Sequence, residues 1–240
     1  NDEYEHYDVV DVNNAEVIAN YDHAVDAADH ITSVKRRDVP TEHYDQIQDL
    51  AGFDNVSDLN DHFVNRTRGE LDNMGYEAEE ALSSYQDGSS GAVNRYLWNG
   101  TVPEYDPDDE DSSYVDVEQQ VDAIDFAMDR SPGLPSNTLL YRGQNDQSGL
   151  YSFAQSVEVG DTYQAKGFDS ASISESQAAG FAGRSRGNAG VMVTYRAPAG
   201  TRGVYMNGRS SSSLEDEYEF LLDRNQDWKI VSKYVNDNGG

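Results

Sequence analysis

Glu215-Asp216-Glu217-Tyr218-Glu219-Phe220-Leu221-Leu222 decides how the second half of the chain is read. Acids at alternate positions run straight into an apolar tetrad, the pattern of a strand with a charged start and a buried body. Glu217 and Glu219 are expected to share one face of that strand. Burying either carboxylate is costly unless a cation or a hydrogen-bond donor meets it. By itself the stretch also reads as an ordinary charged strand end.

Working outward from it, the same period-two texture recurs after Pro132-Gly133. Thr138 to Arg142, Thr162 to Phe168, Val191 to Tyr195, Gly203 to Met206, Tyr218 to Leu222 and Trp228 to Val231 read as short strands. Ser174 to Ala182 reads as a helix among them. Before Pro132 the period is helical. Val117, Val121, Ile124 and Met128 lie on one face, and so do Phe53, Val56, Leu59 and Phe63. Tyr76, Glu79-Glu80-Ala81-Leu82 and Tyr85 read as an amphipathic helix ended by Asp87-Gly88, and Val93, Tyr96 and Leu97 begin another closed by Asn99-Gly100. Ile18, Tyr21, Val25 and Ala28 extend the helical reading toward the N-terminus. Helices first and mostly strands afterwards predict an α+β fold, a helical N-terminal part followed by a two-sheet β-core. The expected division is a helical segment over residues 1–70, with no role assigned, and a second unit over 71–240.

Charge and composition narrow the function. The 240 residues carry 45 acidic against 17 basic side chains, a formal net charge of -28. Such a field repels phosphate and anionic lipid, which argues against a nucleic-acid or membrane-surface partner. There is no cysteine, so disulfides, thiolate metal sites and cysteine nucleophiles are excluded. No apolar run approaches a membrane span, and the acidic opening Asn1 to Val10 does not read as a signal peptide. Four Lys stand against thirteen Arg, and 29 Asp against 16 Glu. A Lys-poor, Asp-rich, halophilic-like surface keeps a protein soluble in high salt; an ordinary acidic protein is the other reading. All five histidines lie at or before His62. His23 and His30 sit two turns apart beside Asp22, Asp26 and Asp29, but without the spacing of a metal motif. Residues 105–113 have the acidity of a calcium loop, yet Asp111 occupies the turn glycine's place, so no metal is expected.

Three further elements join the acidic strand. Leu139-Leu140-Tyr141-Arg142-Gly143 ends an apolar strand on an arginine. Gly167-Phe168-Asp169-Ser170-Ala171-Ser172 carries two serines on one face. Phe181-Ala182-Gly183-Arg184, with Arg186, places an aromatic ring and two cations at a helix end. Each alone is equally a polar strand end or a solvated basic loop. In order, Arg, Ser-x-Ser, Phe-x-x-Arg and Glu-x-Glu resemble the arginine–serine–glutamate class of mono-ADP-ribosyltransferases, the fold of the clostridial binary-toxin enzymatic subunits and the Rho-modifying exoenzymes. The resemblance runs over roughly residues 75–235, including Ser83-Ser84-Tyr85 and the Ala197-Pro198-Ala199-Gly200 turn. It departs at Ala171, where the family's middle residue is threonine. T-even phages also carry enzymes of this class.

The resemblance implies that residues 71–240 are a catalytic domain that breaks the nicotinamide–ribose bond of NAD, its cosubstrate, through an oxocarbenium-like transition state. Glu219 would stabilise that cation, Ser170 would hold Glu219, and Arg142 with Gly143 would meet the phosphates of NAD. Phe181 would stack on nicotinamide and Arg184 would meet a phosphate. Glu217 would select the acceptor, since Glu there accompanies arginine modification and Gln accompanies asparagine. Asn207 to Ser213 resembles the substrate-recognition loop, and Tyr205 reads either as an acceptor contact or as a core tyrosine. The implied partner is a target protein with an accessible arginine, met by a toxin or phage effector that is secreted or delivered into a host cell. Two other readings stay open: an NAD glycohydrolase on the same scaffold, or a catalytically idle, virion-associated interaction module.

Overall fold

A computed structural model describes residues 4–11, 47–71, 74–101, 116–145, 154, 156–182, 190–207 and 217–236. The helix expected over Ile18 to Ala28, the His23–His30 pair, the acidic loop 105–113 and most of the 207–213 loop lie outside the described residues. The fold is α+β. Helices α1 (Val56–Leu71), α2 (Tyr76–Ser84), α3 (Ser90–Asn99) and α4 (Val117–Arg130) come before most of the strands, and α5 (Glu175–Ala182) falls among them. The strands are β1 (Tyr4–Asp11), β2 (Thr138–Asn145), β3 (Thr162–Gln164), β4 (Asp169–Ser172), β5 (Gly190–Ala197), β6 (Gly203–Tyr205), β7 (Glu219–Leu222) and β8 (Asp227–Asn236).

Their order is β3-β8-β1-β5-β2-β4-β7-β6. The order divides into two ladders, β3-β8-β1-β5-β2 and β4-β7-β6, joined by one residue pair, Tyr141 with Ser172. That near-break gives the β-core its two-part character. β1 runs parallel to β5 and antiparallel to β8, and the other pairs are antiparallel.

β1 corrects the expectation of a helical opening segment. Its backbone pairs with β5 from Tyr4↔Gly190 to Val9↔Tyr195, and with β8 on the other side. Tyr4, Tyr7, Val9 and Val10 favour extended backbone, and without this strand the facing edges of β5 and β8 would leave their N–H and C=O groups to find other partners. Nor does the core stop at residue 70: Leu59 and Phe63 of α1 are fully buried with Val191, Tyr195, Phe220 and Trp228.

The helices form where the apolar spacing places them. α4 buries Val117, Val121, Ile124 and Met128, and Asp116 caps its start by accepting from the Gln119 N–H at 3.0 Å. α3 ends where Gly100 takes a left-handed φ of 71° and donates to the Tyr96 carbonyl at 2.7 Å. α2, α3 and α4 close over Phe168, Val204, Met206 and Leu221, covering the three-stranded ladder. Each such buried apolar side chain contributes about 1.5–3 kcal/mol.

α5 lies against β2 and β5 with two glycines beneath it. A Cβ on Gly143 would stand 1.8 Å from the Ala178 carbonyl oxygen, and one on Gly190 would stand 2.6 Å from that of Ala182. Only glycine permits this approach, and it sets Phe181 of α5 beside the strand that carries Arg142.

Candidate active site

The two ladders meet at a cleft of about 390 Å3 lined by Arg142, Gly143, Ser170, Ser172, Phe181, Glu217, Glu219, Tyr85 and Gln86, among others. Its volume is within the range of small-molecule sites. β2 supplies the arginine and β4 the serines. β7 supplies Glu219, and the turn between α2 and α3 supplies Tyr85 and Gln86.

Glu219 begins β7 opposite Ser172 and is buried, with 7% of its surface exposed. Its carboxylate accepts from the Gln86 amide at 2.9 Å and is hydrogen-bonded to the Ser170 hydroxyl. Burial pushes its pKa above the ordinary carboxylate value, and the neighbouring Glu217 charge adds to the rise; the bonds from Ser170 and Gln86 and the charge of Arg142 oppose it. Arg142 is itself held, donating to the Ser170 carbonyl at 2.7 Å with Asp169 at 3.8 Å. Asp169 in turn accepts from the buried Tyr195 phenol. The guanidinium is therefore presented in one orientation, with the buried carboxylate behind it balancing its charge.

Glu217 does not share a strand face with Glu219, because β7 starts at Glu219 and Tyr218 adopts a left-handed φ of 51°. A bulky residue there is strained and needs external support. Two bonds from β4 and the residue after it provide that support. The Ser172 hydroxyl donates to the Glu217 carbonyl at 2.7 Å and the Ile173 N–H to the Tyr218 carbonyl at 3.1 Å. The kink turns Glu217 to the rim of the same cleft, half-buried, while Glu219 stays on the floor.

Behind the floor, Asn94 of α3 holds the entry to β4. Its amide oxygen accepts the Phe168 N–H at 2.9 Å, and its amide nitrogen donates to the Phe168 carbonyl at 3.0 Å and to the Tyr85 hydroxyl at 2.9 Å. Tyr85 donates to the same carbonyl at 3.0 Å. Among the described residues no group of three or more His, Cys, Asp or Glu is placed to hold a metal ion. No described helix is long and apolar enough to cross a membrane.

Comparison with known proteins matches residues 60–239 to the family of ADP-ribosyltransferase exoenzymes. The chain belongs to that family. Among solved structures, an ADP-ribosyltransferase toxin from Paenibacillus larvae is 17% identical at a TM-score of 0.55, covering 75% of this chain and 88% of its own. An ADP-ribosyltransferase from Clostridium botulinum is 18% identical at a TM-score of 0.54, over 78% of this chain and 92% of its own. The ADP-ribosylating component of a binary enterotoxin of C. perfringens, solved with NADH, is 20% identical at a TM-score of 0.54, over 74% of this chain and 43% of its own. Identities this low establish the shared fold. The chain spans less than half of the perfringens toxin and nearly all of the botulinum enzyme. No curated protein sequence matches it.

Within the exoenzyme fold, Arg142, Gly143, Ser170, Phe181, Glu217 and Glu219, all singled out from sequence, line one cleft. Arg184 and Arg186 lie outside the described residues. Tyr205 is elsewhere: it is 1% exposed, packs edge-on against Phe63 at 5.1 Å, and donates to Asn60 at 2.8 Å. Of its two sequence readings the core tyrosine stands and the acceptor contact is corrected, because α1 covers the ring. Gln86, Asn94 and the backbone-holding role of Ser172 escaped sequence reading. A helix-interior Asn followed by a distant Gly-Phe pair is the one signal for Asn94, and Gln86 gives none.

Proposed function

We propose that this chain is an NAD-dependent mono-ADP-ribosyltransferase that modifies an arginine of a target protein. The observation that carries the reading is the pair of carboxylates in one cleft: Glu219 buried and held from two sides on the floor, Glu217 turned to the rim. Family membership and the fold shared with the perfringens toxin, solved with NADH, support NAD as the substrate.

The chemistry breaks the C–N bond between nicotinamide and ribose. Its electron pair leaves with the pyridinium nitrogen, and neutral nicotinamide departs while positive charge develops on the ribose carbon and ring oxygen. A fixed carboxylate in a site shielded from water stabilises that charge without reorganising. Glu219 occupies such a position. Arg142, oriented by the Ser170 carbonyl and Asp169, provides N–H groups for the diphosphate, which Arg grips as a fork. Phe181 gives nicotinamide a ring to stack on. The arginine nitrogen of the target then forms the new C–N bond and gives up a proton, which the Glu217 carboxylate is placed to accept. A carboxylate also aligns a guanidinium through two parallel bonds, which an amide in its place does less well.

Label transfer from NAD tagged on its adenylate, offered to host-type lysate at low and molar salt, tests the reading. Labelled protein that is lost in Glu219→Gln and Glu217→Gln, and released by neutral hydroxylamine, supports arginine transfer. Nicotinamide release without labelled protein points to water as the acceptor and a glycohydrolase. No NAD turnover at either salt rejects the enzyme and leaves an interaction module.

A further inference from the structure

We propose that Gln86 is the positioning residue that holds the Glu219 carboxylate in the orientation used for NAD cleavage, acting from the kinked turn between α2 and α3. The inference rests on the NAD-cleaving reading of the cleft for its catalytic meaning, and on geometry alone for the hold itself.

The turn spans Tyr85–Ser89, with Gly88 at a φ of 135° that glycine adopts without strain. Gly88 breaks the helical path, so the chain kinks between α2 and α3 rather than running on as one helix. The turn makes two visible contacts. Tyr85 turns inward to the Phe168 carbonyl and Asn94, which anchors the turn to the start of β4. Gln86, one residue on, reaches across to Glu219, 133 positions away in sequence, with its Nε2 at 2.9 Å from Oε2. A carboxylate accepts and does not donate, so the amide nitrogen must face it. Ser170 holds the same carboxylate from β4, and the two grips come from different elements.

The other end of the amide supports a functional reason for the contact. Gln86 Oε1 is buried and has no hydrogen-bond partner among the described residues. Buried amide oxygens are nearly always paired, and a side chain chosen for stability alone would not leave one unmet. The arrangement makes sense if the Nε2 bond to Glu219 is what the residue is kept for.

The charged and titratable groups facing Glu219 are Arg142 from β2, Glu217 at the approach to β7 and the Tyr85 phenol from the turn itself, with Asp169 of β4 behind Arg142. Burial and Glu217 favour the protonated acid; Ser170, Gln86 and Arg142 favour the carboxylate. Removing the Gln86 donor shifts that balance toward the protonated form, which cannot balance the developing ribose cation.

Two variants test it: Gln86→Met, close in shape and without the amide, and Gln86→Glu, which sets a second carboxylate against the first. Circular dichroism and thermal unfolding first confirm that both fold. Carboxyl-carbon NMR of glutamate-labelled protein then follows Glu219, its signal assigned by its absence in Glu219→Gln. NAD cleavage is measured across pH alongside. The expected result is that the Glu219 titration moves to higher pH in Gln86→Met and further in Gln86→Glu. The acidic limb of kcat should move with it, and kcat near neutrality should fall about 10-fold in Gln86→Met with KM for NAD little changed. An unmoved titration in both folded variants overturns the proposal, whatever happens to kcat. Should wild type fail to cleave NAD while the titration still moves, the hold of Gln86 on Glu219 stands and the NAD-cleaving reading falls.

Discussion

The two ladders of the sheet are built by different means. In the five-stranded one, β1, β2, β5 and β8 are each eight or ten residues long and held by continuous backbone pairing. In the three-stranded one, β4, β6 and β7 are only three or four residues long. Side chains supplement its backbone bonds: Asn94 and Tyr85 hold Phe168, and Ser172 holds Glu217. The cleft straddles the joint, with Arg142 from the long ladder and Ser170 and Glu219 from the short one. On the proposed reading, the arginine that would meet phosphate stands on the redundantly bonded side, and the carboxylate that would meet the reacting carbon stands where a few polar bonds fix the backbone. Damage to the two sides should look different.

The largest effect is expected at Glu219, the carboxylate proposed to stabilise the ribose cation. Glu219→Gln keeps the shape and removes the charge, and should lower kcat for NAD cleavage by about 100- to 1,000-fold with thermal stability at neutral pH equal to or above wild type. The stability part has a definite pH sign. Because burial raises the folded pKa of Glu219 above its unfolded value, its contribution is fully present below the unfolded pKa. It is lost as pH rises through the folded one. Comparing unfolding of wild type and variant from acidic to neutral pH checks this: the gap should open as pH rises.

Next come the two structural supports, one per ladder. Gly143→Ala would drive a Cβ to 1.8 Å from the Ala178 carbonyl oxygen. It should cost about 1–3 kcal/mol or more in denaturant unfolding, displacing α5 and Phe181 and raising KM for NAD. Asn94→Ala strips the Phe168 N–H of its acceptor and the Phe168 carbonyl and Tyr85 of a donor. Tyr85 and the Phe168 carbonyl keep each other, but the Phe168 N–H is left unmet at a cost of about 1–3 kcal/mol, and here kcat should fall more than KM rises, because the short ladder carries Glu219. If both variants changed kcat and KM alike, the contrast between the ladders would be wrong.

Smaller and more selective is Glu217→Gln. Transfer to protein should drop by about 10- to 100-fold while nicotinamide release into water stays near wild type. The smallest effect is expected at Tyr205→Phe, which removes one bond to Asn60. About 1 kcal/mol of stability should be lost with NAD cleavage unchanged, as suits a core residue away from the cleft.

Much of this was legible in the sequence. The period-two runs located β2, β5, β6, β7 and β8 to within a few residues, since strands buried on one or both faces need β-branched and aromatic side chains there. The order of the four polar motifs marks six cleft residues through its resemblance to the arginine–serine–glutamate transferases, since each motif alone reads equally as a polar strand end or a basic loop. What could not be read depended on tertiary partners. Tyr4–Asp11 becomes a strand because β5 and β8 flank it, not because its own pattern requires one. Glu217 and Glu219 depart from the same-face expectation because the left-handed Tyr218 is supported by Ser172 at the end of β4 and by Ile173 just after it. Gln86 is not legible in the sequence, because nothing in its own stretch announces the contact and its partner lies 133 positions away.

Nicotinamide release from NAD by wild type and Glu219→Gln, each shown to be folded and assayed in the same molar-salt buffer, tests the central claim most directly. Steady turnover by wild type, reduced at least about 100-fold in the variant, is the predicted result. Equal release by the two proteins would contradict it, because the buried carboxylate that Gln86 and Ser170 hold would then have no part in breaking the glycosidic bond.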